Sequence, residues 1–194
     1  MADDIKALIF DTETTGLFKY FNARHMTADQ LKPYPWVIEY FGHIVTDNGE
    51  AVFVEDFLVK PGSLSLIDAT IQKITGIKPE DVAEKPMFDA YADQVLAQLV
   101  EAEALVAHNL SYDLRIMEVA FKRIGRYDEF AAAIRGKRMI CTVQESNHYK
   151  GHRLSLSLLH QHLFGEPFEG AHRASADVAA LTRCYLKMRE LGDI

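Results

Sequence analysis

The amino-acid sequence predicts a mixed α/β sheet of five strands flanked by helices. Three observations carry that reading. Strand-like apolar segments come first, at residues 7–10, 36–46 and 51–60. The second and third are joined by Asp47-Asn48-Gly49, a turn sequence favoured where two strands reverse tightly. Downstream, apolar residues at spacings of three and four alternate with two further short apolar runs, Ala104–Ala107 and Met139-Ile140-Cys141. No repeat, low-complexity run or linker interrupts the 194 residues, so one domain spanning 1–194 is expected.

Each element has a local reason. Ala7-Leu8-Ile9-Phe10 is a short apolar run that reads as a buried strand, and it leads into Asp11, Glu13 and a Thr-Thr-Gly turn. Residues 17–35 show no clean periodicity and end in Pro33-Tyr34-Pro35, which marks an irregular excursion. Pro61-Gly62 ends the third strand. Leu64, Ile67, Ile71 and Ile74 predict a helix over 64–74 closed by Gly76. Pro86 is expected to open the next helix, with Phe88, Tyr91, Val95 and Leu99 on one face. The strand Ala104–Ala107 ends at His108-Asn109, and a helix over 112–124 stops at Gly125. Helices over 154–164 and about 174–191 complete the chain, the last with Ala180, Leu181, Cys184, Tyr185 and Met188 along its apolar stripe.

Composition narrows the classes. With 48% hydrophobic and 25% charged residues, the chain is globular rather than disordered. A net charge of -7 argues against coating nucleic acid or anionic membrane by bulk electrostatics. It does not exclude a nuclease, because metal-holding acids count towards that total. Cys141 and Cys184 fit neither a metal spacing nor a disulfide framework, which points to a reducing compartment. The acidic start lacks the basic residues of a secretory signal, and no stretch approaches the roughly 20 apolar residues that span a bilayer. A soluble, cytoplasmic protein is expected.

Three segments can carry chemistry. Asp11 and Glu13 are two positions apart on a strand and so leave from one face. Two anions at that spacing repel unless a cation sits between them, and a hard divalent ion such as Mg²⁺ or Mn²⁺ prefers oxygen ligands. Asp113 falls in the first turn of a helix that follows His108-Asn109, where the macrodipole favours a carboxylate. His172 precedes, and Asp177 opens, the last helix; an imidazole can accept a proton from water near neutral pH. Taken singly, each has a plainer reading as a strand-end acid, a helix-start acid or a surface histidine.

Together, Asp11-x-Glu13, Asn109 with Asp113, and His172-x-Ala-x-x-Asp177 resemble the DEDD exonucleases. The histidine spacing resembles the DEDDh, DnaQ-like branch, which includes polymerase proofreading subunits, RNase T and oligoribonuclease. The resemblance runs from about residue 5 to 191. It implies a ribonuclease H-like fold and metal-dependent hydrolysis of nucleic acid from the 3′ end, releasing nucleoside 5′-monophosphates. It implies that Asp11, Glu13, Asp113 and Asp177 ligate two divalent cations, Mg²⁺ or Mn²⁺, with Asp11 bridging, and that His172 is the general base. It also implies substrate contacts from Thr14, Thr15, Gly16, Leu17 and Asn109. The partner is then single-stranded nucleic acid with a 3′ end. DNA trimming or proofreading beside a polymerase or other replication or repair partner is the first reading, and RNA 3′-end processing the second. A catalytically inactive nucleic-acid-binding adaptor is the rival outside enzymes, and retention of all five catalytic positions speaks against it.

Two features lie outside that pattern. The excursion holds Phe18, Lys19, Tyr20, Phe21, Arg24, Lys32 and Tyr34 and leads to Trp36; such a mixture either stacks on and tracks a single strand or folds the loop onto the sheet. Residues 135–153 carry five Lys or Arg and one acid, Glu145, a tract that either guides a phosphate backbone or is simply solvated. His148, His152, His160 and His162 cluster in sequence, but no HExxH is present and zinc is not expected.

Overall fold

The computed structural model describes residues 6–18, 27, 29–46, 48–169 and 173–194. Lys19, Tyr20, Phe21, Arg24, Asp47 and His172 lie outside the described residues. The sheet is mixed and five-stranded, in the order β3-β2-β1-β4-β5. Its strands are β1 (Ala7–Thr14), β2 (Val37–Val45), β3 (Ala51–Leu58), β4 (Ala104–Ala107) and β5 (Arg138–Cys141). β1 is central, antiparallel to β2 and parallel to β4, and β4 is parallel to β5. The expected fold class is therefore the observed one.

Burial on both sides explains the apolar start of β1. Leu8 and Phe10 face one layer, with Tyr40, Phe57, Leu105, Met117 and Phe121 in the same cluster. That layer contains α3 (Ala92–Glu101), α4 (Leu110–Arg123) and α5 (Tyr127–Ile134). Ala7 and Ile9 face the other, where Val178, Leu181 and Tyr185 come from α9 (Ala174–Leu191). Alternation along the strand therefore aims Asp11 and Glu13 at the α9 layer and Thr12 at the α4 layer.

Some expected boundaries change. The segment 64–74 is not one helix: a 3₁₀ turn, Leu64–Leu66, is followed by α1 (Ala69–Thr75). Asp68 splits them, because its carboxylate accepts the N–H groups of Thr70 and Ile71 at 2.8 and 3.0 Å and caps α1. Pro86 does not open a helix; another 3₁₀ turn, Phe88–Tyr91, precedes α3. α2 (Pro79–Val82), α5, α6 (Thr142–Glu145) and α7 (Asn147–Lys150) were not expected, being too short to show a helical period. α8 (Leu156–Phe164) starts at its Ser155 cap. Among the described residues, no helix is long and apolar enough to cross a membrane.

The described part of the 17–35 excursion is tied to α4. Arg123 donates to the carbonyls of Leu31, Tyr34 and Pro35 at 2.7, 2.7 and 2.9 Å, and lies 3.8 Å over the Trp36 ring. Phe18 packs edge-on to Tyr112 and against Tyr34. These three aromatics hold the segment onto the body. Lys137, from the basic tract, donates to the carbonyls of Val100 and Ala102 at the end of α3, while Arg135, Arg138, Lys150 and Arg153 are exposed.

A buried amide stabilises the join of β2 and β3. Register slips there between Gly42 and Ile44, and Phe53 takes a left-handed φ of 51°. Gln98 of α3, 0% exposed, donates to the carbonyls of Gly42 and Phe53 at 2.8 and 2.5 Å and accepts from the Tyr40 hydroxyl at 2.8 Å. A Cβ on Gly42 would meet the Tyr40 oxygen at 2.6 Å, so only glycine admits this approach. Replacing Gln98 by Leu removes one partner from three polar groups and is expected to lower stability by about 2–3 kcal/mol, read from the urea midpoint at unchanged m-value.

Candidate active site

Four acids from three elements meet at the C-terminal end of β1. Asp11 and Glu13 project from the strand towards α9, and Asp177 lies in the first turn of that helix. One carboxylate oxygen from each of these three lies within 4.8 Å of the others. Asp113 comes from the first turn of α4, is 4% exposed, and accepts a 2.8 Å hydrogen bond from the Thr12 hydroxyl. Thr12 thus ties the fourth acid to the strand that carries the first two. The open cleft beside them has a volume of about 420 Å³ and is also lined by His108, Asn109, Tyr112, Ser155, Leu156, Ser157 and Phe168.

The electrostatics are those of like charges forced together. Burial, then Asp113, Glu13, Asp177 and Glu39 in that order, hold the Asp11 carboxyl well above the usual range. Glu13 is pushed up to about 8 by burial and by Asp177, Glu39 and Asp113, against a smaller opposing pull from Arg173. Burial raises Asp113 to about 7 although hydrogen bonds from Thr12 and from the backbone oppose it. Without added cations burial and mutual repulsion make these carboxyls hold protons to higher pH than free ones do. A donor set of closely spaced carboxylate oxygens fits hard divalent ions, which would replace those protons.

The expected substrate-contact residues divide into builders and exposed groups. The Thr14 hydroxyl bonds the Tyr112 hydroxyl at 2.7 Å and donates to the Gly16 carbonyl at 2.9 Å, while the Tyr112 hydroxyl lies 2.7 Å from the same carbonyl. Thr15 pairs with Trp36, its hydroxyl accepting the Trp36 N–H at 3.0 Å and its own N–H donating to the Trp36 carbonyl at 2.9 Å. Both threonine side chains therefore shape the turn from within. Leu17, 79% exposed, and Gly16 border a second open cavity of about 600 Å³ with Thr15, Pro33, Tyr34, Pro35, Leu66 and Asp68. Gly16 has a φ of 147°, a conformation that favours glycine. Asn109, exposed and left-handed at φ 99°, turns β4 into α4 and lines the acidic cleft. His172 lies outside the described residues; its sequence neighbour Arg173 stands at the start of α9.

Three contributors were not expected from sequence. Thr12 sits between the two acids, where alternation marked it as belonging to the opposite face. Tyr112 precedes Asp113 and was read only as the start of the helix over 112–124. Glu39 is a lone acid inside the buried run Val37-Ile38-Glu39-Tyr40, and that isolation was a readable signal. Elsewhere His160 is buried, bonded through Nδ1 to the Glu166 carbonyl, whereas His162 is exposed. Among the described residues, Asp11, Glu13 and Asp177 form the cluster with metal-ligand spacing.

A pH prediction follows from the raised carboxyls. Between their unfolded values near 4 and the folded values of about 7 and 8, the folded state holds protons that the unfolded chain has released, so stability falls as pH rises. His108, lowered to about 4 by burial, works in the opposite sense below its ordinary 6.5, which leaves the range above 6.5 for the carboxyls. The thermal midpoint of chelator-treated protein is expected to fall by several degrees between about pH 6.5 and pH 8. Millimolar Mn²⁺ is expected to remove most of that fall. A flat midpoint by differential scanning calorimetry, with and without Mn²⁺, is the opposing result.

The family described as exonuclease matches residues 8–185. The chain is similar to the DNA polymerase III subunit epsilon of Pasteurella multocida, 27% identical over 197 residues that cover 94% of this chain and 68% of that protein. It is also similar to the 3′-5′ exonuclease DinG of Staphylococcus epidermidis, 28% identical over 124 residues, 62% of this chain but 13% of that much longer protein. The nuclease domain of 3′hExo, a DEDDh family member bound to rAMP, superposes with a TM-score of 0.73 at 14% identity, covering 98% of this chain and 94% of that one. With the family match spanning nearly the whole chain, this protein belongs to the exonuclease family and is a 3′–5′ exonuclease with the ribonuclease H-like fold of the nuclease domain it superposes on.

Proposed function

We propose that the protein hydrolyses single-stranded DNA from its 3′ end by two-metal chemistry, releasing nucleoside 5′-monophosphates. The observation that carries this is the convergence of Asp11, Glu13 and Asp177 to within 4.8 Å, with Asp113 beside them, at the edge of an open cleft. Mg²⁺ or Mn²⁺ held there would supply positive charge at the attacking water and at the departing 3′ oxygen of the phosphodiester. The remaining work falls to the chain. Asp11, Glu13, Asp113 and Asp177 are the ligands, and the Thr12 bond keeps Asp113 in its rotamer. His172 accepts the proton of the attacking water on its imidazole. Gly16 and Leu17 receive the terminal nucleotide on a turn that Thr14, Thr15 and Tyr112 hold in place, and Asn109 lines the acidic cleft.

The DNA preference, and a replication or repair partner, are supported by the likeness to a DNA polymerase III subunit. The decisive assay uses 5′-labelled single strands of DNA and RNA of one sequence with Mg²⁺ or Mn²⁺. A ladder shortening from the 3′ end, faster on DNA, is expected. Asp11→Asn and Asp177→Asn are each expected to lose at least about 100-fold in rate while remaining folded. Faster shortening of RNA would replace DNA by RNA as the substrate, and no shortening of either would overturn the proposal. For His172, the rate is expected to rise with pH through the imidazole pKa, and His172→Ala to lose about 10²–10⁴-fold. An alanine variant with full rate and an unchanged pH profile would remove the histidine from this role.

A further inference from the structure

We infer that Glu39 and Arg173 form a latch that positions the first turn of α9, and with it Asp177, against Asp11 and Glu13. Glu39 stands directly opposite Glu13 in the antiparallel pairing of β2 with β1, so both side chains share the face that α9 covers. It is 2% exposed, between the buried apolar residues Ile38 and Tyr40. An ionised carboxylate there, beside a cluster of other acids, is unfavourable unless every oxygen is engaged. Both are. Oε1 accepts from Arg173 Nη2 at 2.8 Å and Nε at 3.3 Å, and Oε2 accepts the Ala174 N–H at 3.0 Å.

The bond from the Ala174 N–H gives the latch its purpose. Arg173 occupies the N-cap position of α9 and makes no side-chain cap of its own. Glu39 supplies the cap from a neighbouring strand, satisfying an N–H that the helix start leaves over and placing negative charge at the positive end of the macrodipole. The next fixed point is the first intrahelical bond, from the Asp177 N–H to the Arg173 carbonyl at 2.9 Å. The latched residues and the acid therefore bound a single turn. Farther along, α9 is held independently, by Val178, Leu181 and Tyr185 in the core and by the 2.8 Å contact of His43 with Thr182. Loss of the latch should loosen the first turn without releasing the helix. Glu39 and Arg173 are thus positioning residues, and the consequence for turnover rests on the exonuclease reading above.

The test compares the full chain with Glu39→Ala, Glu39→Gln, Arg173→Ala and Arg173→Lys. Arg173 has a half-exposed side chain, so its replacement tests the latch without opening a core cavity. In Glu39→Ala and Arg173→Ala we expect amide hydrogen exchange over residues 174–177 to rise about tenfold while α4 keeps its protection. Mn²⁺ affinity by calorimetry should fall about tenfold, and kcat should fall with the oligonucleotide KM within twofold. Glu39→Gln, which still accepts the Ala174 N–H, and Arg173→Lys should each recover part of both losses. Wild-type exchange and wild-type Mn²⁺ affinity in both alanine variants would overturn the latch. Failure of the unmodified protein to shorten any strand would instead overturn the exonuclease proposal, and exchange and Mn²⁺ affinity would still decide the latch.

Discussion

Five carboxylates, those of Asp11, Glu13, Glu39, Asp113 and Asp177, are gathered at one end of β1, where burial and the other four together hold the Asp11 carboxyl well above its usual range. Nothing in their own chemistry favours that arrangement. What overcomes the repulsion is burial of Ala7–Phe10 from both sides, in one cluster with Tyr40, Leu105, Met117 and Phe121 and in another with Val106, Val178, Leu181 and Tyr185. The strand cannot slide by one residue without turning its apolar face to the wrong layer, so its register is fixed, and the acids are fixed with it. A central strand packed on two faces is the mechanical requirement for a site made of like charges.

The two layers then divide the work. The α9 layer receives the odd-numbered side chains, bringing Asp177 and the Arg173–Glu39 pair to Asp11 and Glu13. The α4 layer receives Thr12, which holds Asp113, while Tyr112 one residue earlier reaches Thr14 and Gly16. Consecutive residues of one helix thus secure the acid cluster and the turn at residues 14–16. Arg123, farther along α4, holds the carbonyls of Leu31, Tyr34 and Pro35. Packing of α4 against the sheet therefore sets acid, turn and excursion together.

Residues 7–13 announced themselves because a strand buried on both faces must be apolar, and acids set into its end are conspicuous. β4 was legible for the same reason, being apolar at every position, and α9 because its buried residues keep one helical period over 18 residues. The segment 64–74 misled because its spacings of three and four suit a helix as well as a turn followed by a helix, and only the Asp68 side chain decides between them. α5 was missed because a helix of two turns with Phe130 and Ala133 as its buried residues leaves almost no periodic trace. At the site, residue type revealed the acids, but the roles of Thr12, Tyr112 and Glu39 depend on partners between 96 and 135 positions away. Thr14 and Thr15 were expected to touch substrate; what residue type could not reveal is that each hydroxyl is also hydrogen-bonded within the fold.

The same cluster bears on how an acidic protein could receive a polyanion. A phosphodiester entering the cleft meets carboxylates on β1, α4 and α9, and the Arg173 guanidinium nearby is already engaged by Glu39. Coulomb repulsion at such separations, in a partly buried site, opposes binding by more than the hydrogen bonds of a single turn could offset. Protons can lower that negative charge, as the raised values of Glu13 and Asp113 show, but a protonated carboxyl is a poor ligand and offers no charge to phosphate. Divalent ions both neutralise the acids and attract the backbone, so in the proposed reaction substrate binding and metal binding strengthen one another by linkage. The net charge of -7 is then compatible with nucleic-acid chemistry, because the acids that contribute to it at the site are those the cations are there to balance.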